Sequence, residues 1–329
     1  MTTRQKTDSF AAYAQGTYEL SDATNLTLGI RHTSETKDFE GTQSVFLPSV
    51  AFTLPLIAVS DQTKEDKVTW RVALDHQLSD DVLVYASFNT GFKSGGYDFG
   101  SGGAVVSFRP EELDAFELGV KSEWLDRQVR VNAAVFYYDY TNLQLATFSD
   151  GVPVITNGDS ADIFGMELEI DATLTERLSL NAAIALLDSE FNDFPIEPTV
   201  ALATGGVGTG PAISAAGSSL PFSPEWTSSV GLNYQIPLSV GSLRFAADYF
   251  YSDGWFATED NRLKQDSYSL VNASVNWYAN SDETLSVRLW GKNLADTDYA
   301  MQMGSQEGFT DFVSMAPGRT FGATVGFNF

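Results

Sequence analysis

The strict alternation of residue types at the end of the chain constrains the fold more than any other feature of this sequence. Along residues 319–329, Phe321, Ala323, Val325, Phe327 and Phe329 fall on one side of an extended backbone, and small or polar residues fall on the other. A soluble sheet rarely ends on an apolar face with nothing to cover it, whereas lipid covers such a face in a membrane barrel. The closing stretch therefore predicts a lipid-facing strand.

The same alternation recurs along the whole chain. It is clearest where Met166, Leu168 and Ile170 oppose Glu167 and Glu169. We count about 13 such strands, and short turns alternate with long connections between them. The long connections are predicted at about residues 37–65, 91–111, 141–163, 191–223, 252–266 and 295–318.

This sorting of loop lengths favours a particular barrel. Short periplasmic turns alternating with long extracellular loops are typical of outer-membrane barrels, and strands of about ten residues match a tilted crossing of the hydrocarbon layer. The predicted fold class is therefore all-β, a transmembrane antiparallel up-and-down β-barrel. Bacterial single-chain barrels have an even number of strands, so an odd number predicts an incomplete barrel with further strands upstream.

Composition excludes several other classes. The formal charge of −24 disfavours nucleic-acid binding, and 13% aromatic residues disfavour disorder. The chain has no cysteine and no apolar run long enough for a membrane helix. Mean hydropathy is −0.10, as expected when membrane strands alternate. Residues 1–6 lack the apolar segment of a secretory leader, so we expect a mature fragment or a piece of a longer protein.

Eight short stretches, in order, resemble the C-terminal barrel of TonB-dependent outer-membrane receptors. Each is weak alone, but together they extend over about residues 9–329 in the family's order. They are Leu28-Gly-Ile-Arg31, Tyr85-Ala-Ser-Phe-Asn-Thr-Gly-Phe-Lys-Ser-Gly95, Arg109-Pro-Glu111, Phe116-Glu-Leu-Gly-Val-Lys121, Phe136-Tyr-Tyr-Asp-Tyr140, Gly165-Met-Glu167, Lys292-Asn-Leu-Ala-Asp296 with Tyr299, and Pro317-Gly-Arg-Thr-Phe321.

The resemblance implies a barrel of about 22 strands with an N-terminal plug and a TonB box. Residues 1–329 would supply only about the last 13 of these strands, and no plug. It further implies energised uptake of a scarce solute, most commonly an iron–siderophore complex. The implied partners are outer-membrane lipid, the TonB complex through the missing N-terminal region, and the barrel-assembly machinery. No enzymatic activity, cofactor or nucleic-acid partner is expected. A passive porin-like channel fragment and a soluble all-β binding protein remain alternatives.

The long loops hold the candidate ligand contacts. Aromatic and cationic side chains suit an anionic aromatic chelate. The alternative interpretation, which the residues by themselves favour, is that Phe92 anchors a strand end and that Lys93 is solvated. The candidates are Phe92, Lys93, Tyr97, Phe99, Arg109, Trp255 and Phe309, with Phe256 and Phe312 rated similarly.

No catalytic or metal-binding set stands out in the sequence. The two histidines, His32 and His76, lie on different hairpins, and the period-two acids around Glu169 are predicted to form a solvated wall. Four tryptophans near strand ends predict interfacial girdles; they are Trp70, Trp124, Trp226 and Trp277. The resemblance also implies a C-terminal assembly signal at Phe321, Val325, Phe327 and Phe329.

Overall fold

The computed structural model of the chain is built on one large antiparallel sheet. It describes residues 2–47, 52–99, 105–149, 152–196, 199–201, 203, 207–211, 213–280, 283–306 and 310–327. The sheet has 13 strands in the order β1-β2-β3-β4-β7-β8-β11-β12-β17-β18-β19-β20-β23. Its strands are β1 (Thr2–Ser21), β2 (Thr24–Leu47), β3 (Phe52–Ser79), β4 (Val82–Lys93), β7 (Glu111–Trp124), β8 (Val129–Thr141), β11 (Ser160–Thr175), β12 (Leu178–Asp193), β17 (Trp226–Pro237), β18 (Ser242–Phe256), β19 (Lys264–Tyr278), β20 (Leu285–Lys292) and β23 (Thr320–Phe327).

The remaining strands all lie in long connections, where they form two-stranded hairpins. They are β5 (Gly96–Phe99), β6 (Val105–Phe108), β9 (Gln144–Ser149), β10 (Val152–Asn157), β13 (Pro195–Ile196), β14 (Thr199–Ala201), β15 (Val207–Thr209), β16 (Ile213–Ser214), β21 (Ala300–Gln306) and β22 (Thr310–Met315). Within the described residues, no helix is long and apolar enough to cross a membrane.

The sheet is open, as the odd strand number predicts. Among the described residues, β1 pairs only with β2 and β23 pairs only with β20. The predicted number of strands and the alternation of short turns with long connections are confirmed.

One connection differs from the prediction. Residues 37–47 and 52–65 continue β2 and β3 as a long antiparallel pair, whose pairing runs on through Lys37↔Thr63 to Leu47↔Phe52. The amphipathic alternation fades there although the strands persist. Neither side of these segments is uniformly apolar, so their sequence carries no period-two signal.

One face of the sheet carries continuous apolar rows, and we call it the apolar face. Neighbouring strands place apolar side chains directly opposite each other, and many of these side chains are exposed. One row crosses seven strands through Leu74, Ala86, Leu118, Val135, Met166, Leu186 and Trp226. An exposed apolar belt of this extent predicts a lipid-covered surface, because soluble monomers rarely expose large contiguous patches.

The other face carries small, polar and charged side chains, and we call it the polar face. Its corresponding row runs through Tyr85, Gly119, Ala134, Glu167, Ala185, Thr227 and Ser252. The expected acid wall lies here, since Glu167 and Glu169 are both exposed. The described residues contain no group of three or more potential metal ligands.

Aromatic side chains border the apolar belt near its loop-bearing end. The ring of Phe88 lies 4.6 Å from that of Trp70 and 4.3 Å from that of Phe116, measured between centroids. At the same end, Trp226 makes an edge contact of 5.3 Å with Tyr251. Trp124 and Trp277 lie at the opposite, turn-bearing end of their strands. This arrangement is typical of the two aromatic girdles of a membrane barrel.

Candidate functional site

The long connections at one end of the sheet meet over the polar face, and Gln144 joins two of them. This buried side chain follows β8, and its Nε2 donates to the carbonyl oxygens of Ser94 at 3.1 Å and Arg109 at 3.0 Å. Its backbone N–H donates to the Glu111 carboxylate at 2.8 Å. One amide thus holds together the two ends of the connection between β4 and β7. We call this the loop junction.

Asn157 completes the loop junction from the other side. Its Oδ1 accepts from the Arg109 N–H at 2.7 Å, and its Nδ2 donates to the Arg109 carbonyl at 3.0 Å and the Asn142 carbonyl at 2.8 Å. Because buried backbone groups need partners, these contacts set the path of two loops at once.

A half-buried cation anchors the glycine-rich part of the same loop. Lys37 Nζ donates to the Gly95 carbonyl at 2.6 Å and lies 3.2 Å from a Glu35 carboxylate oxygen. A Cβ atom at Gly95 would lie 2.5 Å from the Phe108 carbonyl oxygen, so only glycine allows this close approach. Gly95 therefore serves the packing of this loop.

Two of the predicted ligand residues lie in a small apolar core instead of on a free surface. Tyr97 and Phe99 are 9% and 6% exposed, and their rings lie 5.3 Å and 5.7 Å from that of Phe39 on β2. Burial, together with the nearby Asp61 carboxylate, raises the pKa of the Tyr97 phenol. This packing favours a structural role, and contact with a solute stays a prediction for both.

The other predicted ligand residues are distributed over the rim of the sheet. Lys93 and Arg109 are exposed beside the loop junction, whereas Phe92 is half-buried on the same strand face as Phe88. Trp255 packs against Phe222 at 4.8 Å. Phe309 lies outside the described residues. Phe256, beneath Lys264, and Phe312, which is 41% exposed, belong to other loops. For all of these side chains, solute contact remains a prediction.

A second apolar core covers the polar face beside the loop junction. Its largest members are the stacked rings of Phe191 and Phe194, at 5.3 Å and each 1% exposed. The other buried members are Leu143, Ala161, Ala215 and Leu220. Together the two small cores fix the bases of the long loops, so the exposed groups between them have defined positions.

Two family-like stretches that are distant in sequence close the last long loop together. Asn293, which is buried at a φ of 48°, donates through Nδ2 to the Thr297 carbonyl at 2.9 Å and accepts the Thr297 N–H at 2.9 Å. Asp296 accepts the backbone N–H of Arg319 at 2.8 Å. The stretches at 292–296 and 317–321 therefore form one structural clasp at the base of the loop.

A bidentate ion pair joins two further loops. The Arg262 guanidinium donates to both carboxylate oxygens of Asp311, at 2.7 Å and 2.8 Å. Hydrogen bonding to Arg262 lowers the pKa of Asp311, and the same bond raises the pKa of Arg262. The pair ties the connection before β19 to the β21–β22 hairpin, a contact that the sequence pattern did not reveal.

Two of these residues were missed in the sequence for a common reason. Gln144 and Asn157 lie in the long connections, where residue periodicity carries no signal and contacts are made to distant segments. Tyr299 was singled out in the sequence only as part of the family-like stretch that begins at Lys292, and its ring stacks on that of Tyr268 at 4.7 Å with an interplanar angle of 9°.

We expect Gln144→Ala to loosen the loop junction. The change removes the hydrogen bonds to the Ser94 and Arg109 carbonyls, of which the Arg109 carbonyl keeps the one from Asn157, at a cost of about 0.5–1.5 kcal/mol for each lost bond. Limited proteolysis of the detergent-folded chain should then cleave within residues 93–110 faster than in the wild type. Gln235→Ala, at an exposed position on β17, serves as the matched control. Equal cleavage of both variants would show that the junction does not depend on Gln144.

The C-terminal strand agrees with its sequence pattern. Phe321, Val325 and Phe327 lie on the apolar face and are 69%, 70% and 59% exposed. Phe329 lies outside the described residues. Reading of these residues by an assembly machinery stays a prediction.

An open antiparallel sheet with an apolar belt on one face, a polar opposite face and long loops gathered at one end is the wall of a transmembrane receptor-type β-barrel. The chain belongs to the TonB dependent receptor-like β-barrel family, whose model matches residues 1–294. This confirms the resemblance drawn from the sequence.

Curated relatives point in the same direction. The pesticin receptor of Yersinia enterocolitica is 26% identical over 98% of this chain and 44% of its own length. The probable TonB-dependent siderophore receptor PiuA of Acinetobacter baumannii is 23% identical over 89% of this chain and 37% of its own length. The chain thus spans less than half the length of these relatives.

Solved structures show the same fold. The ferric yersiniabactin uptake receptor FyuA from Yersinia pestis superposes with a TM-score of 0.81 at 22% identity, over 98% of this chain and 46% of that one. The siderophore receptor PiuA from Acinetobacter baumannii gives a TM-score of 0.77 at 19% identity, over 99% and 44%. At such identities the likeness concerns the fold alone.

Proposed function

We propose that this chain forms part of an outer-membrane receptor that takes up a ferric siderophore with energy from the TonB complex. The observation that carries the proposal is the apolar row across seven strands, combined with long loops joined over the polar face. Lipid covers the row, and the polar face lines the route of the solute. Family membership favours this function over the passive porin, and the exposed belt disfavours the soluble binding protein.

The partners follow from the same proposal. Outer-membrane lipid contacts the apolar face, and the barrel-assembly machinery reads the closing strand. TonB engages a region of the parent protein outside residues 1–329. The solute enters at the loop-bearing end, where Lys93, Arg109 and Trp255 are the candidate side chains nearest to it. The chain performs no reaction of its own and needs no cofactor.

Uptake of labelled iron tests the function in the full-length parent protein. A strain without other siderophore receptors would express it, and ⁵⁵Fe would be supplied as a ferric catecholate and as a ferric hydroxamate. We expect uptake of at least one complex in a strain with TonB and none in its tonB-null counterpart. Uptake that is independent of TonB would favour the porin, and uptake of neither complex would remove the siderophore assignment.

A further inference from the structure

A hollow with two arginines lies on the polar face near the β1 edge. Its volume is about 260 Å³, and it is open to solvent. Its floor is Gly29, which directly faces Gln15 on β1 and Arg71 on β3. Its walls are formed by Tyr13, Gln15, Arg31, Thr69, Arg71 and Asn89. We call it the arginine groove.

The strand register brings the two guanidinium groups to the same floor. Arg31 faces Thr69, and Arg71 lies two residues further along β3 on the same face. The two arginines are thus diagonal neighbours across β2 and β3, a separation of about 7–8 Å. A Cβ atom at Gly29 would lie 3.3 Å from Gln15 Oε1 and 3.6 Å from Arg71 Cβ, so the missing side chain keeps the floor open between them.

Neither arginine is ion-paired within the part of the chain that the structure describes. Arg71 donates through Nη1 to Asn89 Oδ1 at 2.8 Å, and Arg31 donates through Nε to Thr33 Oγ1 at 3.1 Å. Both partners are neutral, and both arginines are exposed. Each guanidinium has five N–H donors, so most of them face the groove or solvent unused. In a chain with a net charge of −24, two neighbouring arginines without a carboxylate partner form a local positive site.

The groove lies at the level of the loop-bearing rim. On the opposite face of the same strand segments, Ile30 and Trp70 mark the edge of the apolar belt, where Trp70 meets Phe88. The register row that contains Glu167 reaches β3 at Asp75, so Arg71 lies four residues nearer to the loop-bearing end than the acid wall does.

We propose that the arginine groove binds a carboxylate group of a small anionic solute, with Arg71 and Arg31 donating to its oxygens. A guanidinium presents two parallel N–H groups that match the two oxygens of a carboxylate. Gln15, Thr69 and Asn89 supply neutral donors around the pair, and Tyr13 closes one side. The inference rests on the proposed function, because it assumes a solute arriving from the loop-bearing end, and it names that solute's chemistry as a polycarboxylate.

Calorimetric titration with citrate tests this site on the complete chain folded in detergent micelles at low ionic strength. We expect saturable binding that Arg71→Gln weakens about tenfold, since a hydrogen bond to a charged group contributes about that factor. Arg71→Lys should recover only part of the affinity, because it keeps the charge and loses the fork. Arg288→Gln changes another polar-face arginine, on β20 away from the groove, and should bind citrate as the wild type does.

A second ligand and a groove-filling variant sharpen the result. The Gly29→Leu variant keeps both arginines but fills the floor of the arginine groove, so it should abolish citrate binding. A hexaglutamate peptide represents the carboxylates of a protein segment; binding of the peptide without citrate would overturn the assignment to a small solute. Absence of saturable citrate binding, or equal affinity in Arg71→Gln and Arg288→Gln, would overturn the site itself. If citrate binding depends on Arg71 but the parent protein takes up no ferric siderophore, the binding site in the arginine groove stands and the proposed function is wrong.

Discussion

Leu168→Arg is expected to destabilise the folded chain by about 2–4 kcal/mol, the cost of an arginine near the middle of the lipid-facing surface of a barrel. Leu168 lies on the apolar face, directly between Ala133 on β8 and Ile184 on β12. A guanidinium there would have to leave water for hydrocarbon. The urea midpoint of the chain, refolded in lipid vesicles and followed by tryptophan fluorescence, measures the loss.

Ala183→Arg is the control for this experiment, because it makes the same chemical change on the other face. Ala183 lies directly opposite Glu169, in a hollow on the polar face that Ser229 and Phe250 also line. An arginine there stays in water and gains a cross-strand carboxylate, so stability should change by less than about 1 kcal/mol. If Ala183→Arg is the costly variant and Leu168→Arg is neutral, the apolar face does not meet lipid.

Gly165→Ala is expected to cost about 1–3 kcal/mol, although it adds only one methyl group. Gly165 on β11 directly faces Phe136 on β8, and the Phe136 ring lies flat over the position that a Cβ atom would occupy. The ring cannot move away easily, because it is stacked on Tyr138 at 4.8 Å. The urea midpoint in detergent micelles measures the change.

Two further variants assign that cost to the ring. Gly16→Ala adds a methyl group where no atom lies within 4 Å, so it should be neutral or stabilise by about 0.4–1 kcal/mol. In the double variant Phe136→Ala with Gly165→Ala, no ring overlaps the added methyl group. The loss of stability in the double variant should therefore be smaller than the sum of the losses in the two single variants. Simple additivity would mean that the glycine is required for another reason.

The sequence predicted the parts of this fold in which the two sides of a strand differ in polarity. In the strand that contains Leu168 and Glu169, apolar and polar side chains lie on opposite faces, so the period-two alternation is visible. At Lys37 and Thr63 neither side of the strands is uniformly apolar, and the pattern disappears although the strands continue. The sequence therefore indicated a long connection there but not its strand conformation.

The candidate site was harder to predict from the sequence, because its contacts join residues that are far apart in the chain. Tyr97 and Phe99 have the composition of ligand contacts, but Phe39 buries them. Gln144 and Asn157, which hold the loops together, carry no periodic signal. In the sequence, Arg31 and Arg71 were recognisable only as residues on the polar face of their strands. The strand register places both of them beside Gly29.

By itself, the sequence determined that this chain forms alternating strands with sorted loop lengths, because the apolar and polar faces of a strand are set residue by residue with period two. Tertiary structure alone decided which loop residues become buried supports and which stay exposed. It also decided that two arginines, 40 positions apart as Arg31 and Arg71, share one hollow without a carboxylate partner. The reason is physical: alternation is a local requirement of each strand, whereas loop packing and charge pairing depend on strand register, which joins segments that the sequence keeps apart.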